Sequence, residues 1–124
     1  MRKNIVLITL ISFMFVFGLQ VAQPVSAAKL VDHGSIKNAD PYWKESWFAY
    51  QKGTNYVKVN LFNYFGDTDQ TDKWTYILQK VSKNKLKLTI YVNGEKYNVE
   101  YRHTKLTAAR YYWRIFRSEM LSCV

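Results

Sequence analysis

The dipeptide Asn93-Gly94 constrains the fold more than any other part of the chain. A two-residue type I′ turn needs positive φ at both central residues, which asparagine tolerates and glycine adopts freely. Before it, Leu86-Lys87-Leu88-Thr89-Ile90-Tyr91-Val92 alternates in character, and Tyr97, Val99 and Tyr101 carry the alternation on after it. A period of two marks a strand with one buried face. Folding about the turn sets Val92 against Glu95, Ile90 against Tyr97, Leu88 against Val99 and Leu86 against Tyr101. Lys87 then meets Glu100, and Thr89 meets Asn98, on the other face. A slip of one residue would turn every side chain of one strand to the wrong face.

The segments upstream extend the same pattern. Tyr42 to Tyr50 (YWKESWFAY) reads as an aromatic strand, and Gln51-Lys52-Gly53-Thr54-Asn55 as a turn. Tyr56 to Phe65 places Val57, Val59 and Leu61 on one face and Lys58 and Asn60 on the other. Gly66 to Asp72 is a polar loop. Lys73 to Val81 fits two templates. Trp74, Ile77, Leu78 and Val81 match a helix, whereas Trp74, Tyr76 and Leu78 match a strand. Its threonine, tyrosine and isoleucine favour the strand. Residues 28–41, with Gly34, Ser35, Asn38 and Pro41, show no apolar period and read as a flexible N-terminal arm.

The tail after Thr104 also has two readings. As a helix capped by Thr104, it aligns Leu106, Ala109, Trp113, Phe116 and Met120 in one apolar stripe, with Arg110, Arg114 and Arg117 beside it. As a strand, residues 110–117 (RYYWRIFR) are rich in β formers. The run from Leu106 to Ile115 (LTAARYYWRI) resembles the late strand of fibronectin type III domains, which implies extended structure over those ten residues. The usual glycine or proline before the tyrosines is absent. The five-position stripe tips the balance toward the helix. The expected fold is mainly β: a small single-domain antiparallel meander of about five strands, with a C-terminal helix or extra strand packed on it.

The N-terminus sets the destination. Arg2 and Lys3 precede the apolar run Ile5 to Val21, and small residues follow. That order is a secretory signal peptide, with cleavage expected between Ala27 and Ala28. An uncleaved anchor over residues 5–21 is the alternative, although a bilayer asks for about 20 apolar residues. Removing residues 1–27 from the 124 leaves 97, enough for one domain over 42–124 and its arm. Cys123 is the one cysteine, so no internal disulfide forms; it reads as an unpaired residue near the end, with pairing between chains as the alternative. Exported proteins without such staples suggest a bacterial source of the Gram-positive type.

Few chemistries survive inspection. The carboxylates Asp67, Asp69 and Asp72 fail the calcium-loop spacing, with no glycine at the sixth position and Leu78 at the twelfth. Two histidines, His33 and His103, lie 70 residues apart, short of the three or four ligands of a metal centre. Nucleophile, phosphate-loop and zinc-protease motifs are absent from the sequence, and no cofactor is implied. A non-enzymatic protein is expected.

Charge supplies the remaining clue. Residues 28–72 carry five basic and six acidic side chains, whereas 73–124 carry eleven basic and three acidic. Lys80, Lys83, Lys85, Lys87, Arg110, Arg114 and Arg117 are the expected anion-binding residues, with Tyr111 and Trp113 as aromatic contacts. Cations mixed with rings suit anionic lipid or an anionic wall polymer. The expected function is a secreted binder of such cell-surface material, antimicrobial in one form, acting by electrostatic capture followed by shallow insertion of rings. The alternative is a protein-binding or inhibitor module that uses an edge strand or the aromatic patch around Trp43 and Trp47. Nucleic acid is the less favoured polyanion for an exported protein.

Overall fold

A computed structural model of the chain describes residues 27–39 and 42–122. The segment expected to be a signal peptide lies, but for Ala27, outside the described residues. Six antiparallel strands form one sheet in the order of the chain: β1 (Lys29–Ala39), β2 (Tyr42–Gln51), β3 (Tyr56–Phe65), β4 (Gln70–Ser82), β5 (Lys85–Val92) and β6 (Glu95–His103). A helical segment follows: α1 (Ala108–Tyr111), a π-helical turn (Tyr112–Phe116) and α2 (Arg117–Ser122). The chain is thus a mainly β meander with a short C-terminal helix. Among the described residues no helix is long and apolar enough to cross a membrane.

The alternation does its expected work in β3, where Val57, Val59 and Leu61 are buried and the residues between them are not. With Trp47, Ala49, Leu78, Leu86, Leu88 and Ile90 they form the apolar side of the sheet. Burying each such side chain stabilises by about 1.5–3 kcal/mol. The helix lies on this side, adding Ala108, Tyr111, Tyr112, Phe116 and Met120 to the core. Among the described residues no element covers the other side of the sheet.

Residues 29–39 correct the expectation of an arm. They form a full edge strand, paired along β2 from Lys29↔Gln51 to Ala39↔Tyr42, and raise the strand count to six. Gly34 is the reason the composition misled. It sits opposite Trp47, and a Cβ there would lie 2.5 Å from the indole Cζ2, so the missing side chain makes room for the ring. Lys73 to Val81 is strand, as favoured, within the longer β4.

The Asn93-Gly94 turn forms with φ of 51° and 88°. Beyond Tyr91↔Lys96 the register departs from expectation. Tyr97 is bulged, so Ile90 faces Asn98, Thr89 faces Val99, Leu88 faces Glu100 and Leu86 faces Arg102. One extra residue moves Glu100 and Arg102 to the helix side and sends Val99 and Tyr101 to the open side. Arg102 then reaches Glu119 of α2 across the sheet edge, at 3.9 Å.

The tail is helical, which overturns the extended structure implied by the fibronectin-like run. Thr107, not Thr104, is the N-cap, its hydroxyl accepting from the Arg110 N–H at 3.2 Å. The Lys80 ammonium holds the approach to the helix by donating to the carbonyls of Thr104 and Leu106, at 2.6 and 2.7 Å. The π turn shifts the apolar stripe. Ala108, Tyr112, Phe116 and Met120 point inward, whereas Trp113 is 48% exposed.

The same turn builds a closure. The Arg117 N–H bonds to the Tyr112 carbonyl, so residues five apart share one side of the helix. Both side chains meet Asp32 of β1. Its Oδ2 accepts from the Tyr112 hydroxyl at 2.5 Å, Arg117 Nε at 2.6 Å and Trp47 Nε1 at 3.1 Å. The Arg117 guanidinium also lies 5.4 Å from the Trp47 ring centre and 5.9 Å from that of Trp113.

Candidate functional site

Strand alternation sorts the charges by face. Residues that pair across strands share a face, so the register assigns each one. Lys37, Lys44, Lys58, Lys73, Lys85, Lys87 and Lys96 all fall on the open side. Among the described residues the strands hold the carboxylates Asp32, Glu45, Asp72, Glu95 and Glu100, and all five fall on the helix side. The open face therefore carries seven cations with no strand carboxylate among them. Asp69, in the β3–β4 loop, touches one end of the face by accepting from the Tyr64 hydroxyl at 2.9 Å.

Rings fill the space between these lysines. Rows across the sheet read Phe48–Asn60–Thr75–Tyr91–Lys96, Tyr50–Lys58–Ile77–Thr89–Val99 and Tyr56–Gln79–Lys87–Tyr101. Phe48 and Phe62 meet edge to face, 6.1 Å between centres. The Lys73 ammonium sits 5.9 Å from the centre of the Phe62 ring, and that of Lys85 sits 5.4 Å from the Tyr101 ring. Such contacts hold the amines over ring faces. Adjacent strands are about 4.8 Å apart and same-face residues on one strand about 7 Å apart, so the lysines form a spread grid, not a single cluster.

The residues singled out from the sequence divide among several places. Lys85 and Lys87 belong to the open face. Lys83 is exposed in the β4–β5 turn. Lys80 is committed to two backbone carbonyls, and Arg117 to Asp32. Arg110, Arg114 and Trp113 are exposed on the helix, on the opposite side of the molecule from the lysine grid. Tyr111 is buried, and burial pushes its hydroxyl pKa up. Ala27 and Ala28, at the expected cleavage point, are exposed just before β1.

Sequence reasoning missed Lys37, Lys44, Lys58, Lys73 and Lys96 as partners of Lys85 and Lys87. For the last four the signal was present as alternation: each occupies the polar phase of its strand. The loop carboxylates do not converge. Asp69 serves Tyr64, while Asp72 accepts from Gln70 and Asn93, bonds that hold its carboxyl below the usual range. Among the described residues no group of three metal-ligating side chains is assembled. Compared with known proteins, the chain matches no family model, no curated protein and no solved structure.

Proposed function

We propose that this is an exported, non-enzymatic protein whose open sheet face binds a linear anionic polymer of the cell surface. The observation that carries the reading is the separation of charge between faces: seven lysines on the open side, five strand carboxylates on the other. A field of one sign over a broad face attracts and orients a polyanion, and its strength falls as salt rises. A polymer suits this face better than a bilayer. Its rings lie among the lysines, with the Lys73 and Lys85 ammonium groups 5.9 and 5.4 Å from the ring centres of Phe62 and Tyr101. Trp113, an exposed ring suited to shallow insertion, stands on the far side.

Long-chain inorganic polyphosphate serves as the test polymer, with phosphatidylglycerol vesicles as the competing surface. Binding to polyphosphate should weaken by about tenfold or more between low and physiological salt. Changing Lys44, Lys58, Lys73 and Lys87 together to Gln should abolish most of it, and Arg110→Gln with Arg114→Gln should leave it nearly intact. No binding at low salt, or binding unchanged in the four-lysine variant, would overturn the proposal. Preference for vesicles, lost with Trp113→Ala, would move the function to a membrane and to the helix.

A further inference from the structure

The helix covers only part of the apolar side of the sheet. Beside it a cavity of about 580 Å³ remains, floored by Leu61, Leu88 and Ile90. Trp43, Trp74, Tyr76, Phe65 and Phe116 supply ring surface around it. A volume of this size is typical of small-molecule sites, which run to roughly 300–1,000 Å³.

Its polar groups are unusual for a packing gap. Glu45 of β2 lines the cavity, is 5% exposed, and its Oε1 is buried with no hydrogen-bond partner. A buried carboxylate oxygen without a donor is costly, and a fold has little reason to keep one unless something satisfies it. Burial pushes the Glu45 carboxyl pKa up. On the β6 side, Arg102 is engaged by Glu100 at 3.0 Å and lies 3.9 Å from Glu119. The lining thus holds three carboxylates and one guanidinium, whose terminal nitrogens face two of them while its Nε is buried without a hydrogen-bond partner. An anionic ligand would meet net repulsion. A cation would meet Glu45 and the negative faces of the rings together.

We propose that this cavity binds a small molecule with an apolar body and one ammonium group, the ammonium donating to Glu45 Oε1. The site is independent of the lysine face and lies on the other side of the sheet. Because the whole chain is strongly basic, non-specific attraction of an ammonium compound is disfavoured, and selective uptake reports a local site.

Octylamine, octanol and octanoate, equal in chain length, separate the contributions. Binding is read from the fluorescence of the wall tryptophans and by calorimetry on the protein without residues 1–27. Octylamine should bind about tenfold or more tighter than either partner, and Glu45→Gln should remove that preference while leaving octanol unchanged. Should Glu45→Gln not fold, Glu45→Asp withdraws the carboxylate by one methylene and must weaken octylamine in the same way. The four-lysine variant should keep full amine binding, which separates this site's failure from failure of the polymer proposal. Equal affinity for all three compounds, undiminished amine binding in both Glu45 variants, or no octylamine binding at millimolar concentration would overturn the proposal.

Discussion

Replacing Asp32 by alanine should be among the most damaging single changes in the molecule. Asp32 Oδ2 accepts three hydrogen bonds, from Tyr112, Arg117 and Trp47. The Tyr112 side chain is fully buried, so losing this acceptor leaves its hydroxyl short of a partner at about 1–3 kcal/mol. The Trp47 N–H adds about 1 kcal/mol. Arg117 is 35% exposed and can turn to water, so its share is about 1 kcal/mol or less. The expected loss is about 2–5 kcal/mol, a large part of the roughly 5–15 kcal/mol available to a domain of this size. Asp32→Asn keeps an acceptor oxygen and should cost about 1–2 kcal/mol. Urea unfolding of the chain without residues 1–27 measures both. Adding Tyr112→Phe to Asp32→Ala should recover stability, because the stranded hydroxyl is gone, whereas Tyr112→Phe alone should destabilise. The pH dependence has a fixed sign. Burial alone would raise the Asp32 carboxyl pKa, but the hydrogen bonds from Arg117, Tyr112 and Trp47 and the Arg117 charge outweigh it and hold the pKa below its ordinary value. The stabilisation is therefore complete above the unfolded-chain value near 4 and disappears as pH falls through the lower native value. An Asp32→Ala variant within about 1 kcal/mol of wild type, or one whose deficit persists unchanged in strong acid, would refute this account.

Two further changes test the edge strand and the helix approach. Gly34→Ala places a methyl 2.5 Å from the Trp47 ring and should cost about 1–3 kcal/mol in the same unfolding assay. Lys80→Met removes the donor to the carbonyls of Thr104 and Leu106; about 2–3 kcal/mol should be lost, with amide exchange faster first in residues 104–111.

Legibility followed the range of the physics involved. The strands β2 to β5 rest on alternation and local turns, and both are written within a few residues. Tyr56–Phe65 carries its own burial pattern, and Asn93-Gly94 its own backbone angles. The bulge at Tyr97 was not legible. It goes with the contact that Arg102 makes with Glu119 of the helix, across the fold. The β1 strand was hidden because Gly34 looks like flexibility until Trp47 is set opposite it. Trp113 was misplaced by assuming 3.6 residues per turn where the helix widens. The lysine face was half legible. Counting charge along the chain found Lys85 and Lys87, but the separation is between faces of the sheet, and only the register shows it. Glu45 gave no signal at all, being one carboxylate in an ordinary strand.

The bond set at Asp32 joins positions 80 and 85 residues apart, whereas every strand pairs with its neighbour in sequence. A growing or threading chain can therefore zip its sheet stepwise yet remain unlatched until Tyr112 and Arg117 arrive. Products truncated before that point would keep a nearly complete set of strands with an unclosed edge, the form most open to proteases and to sticking to its own kind.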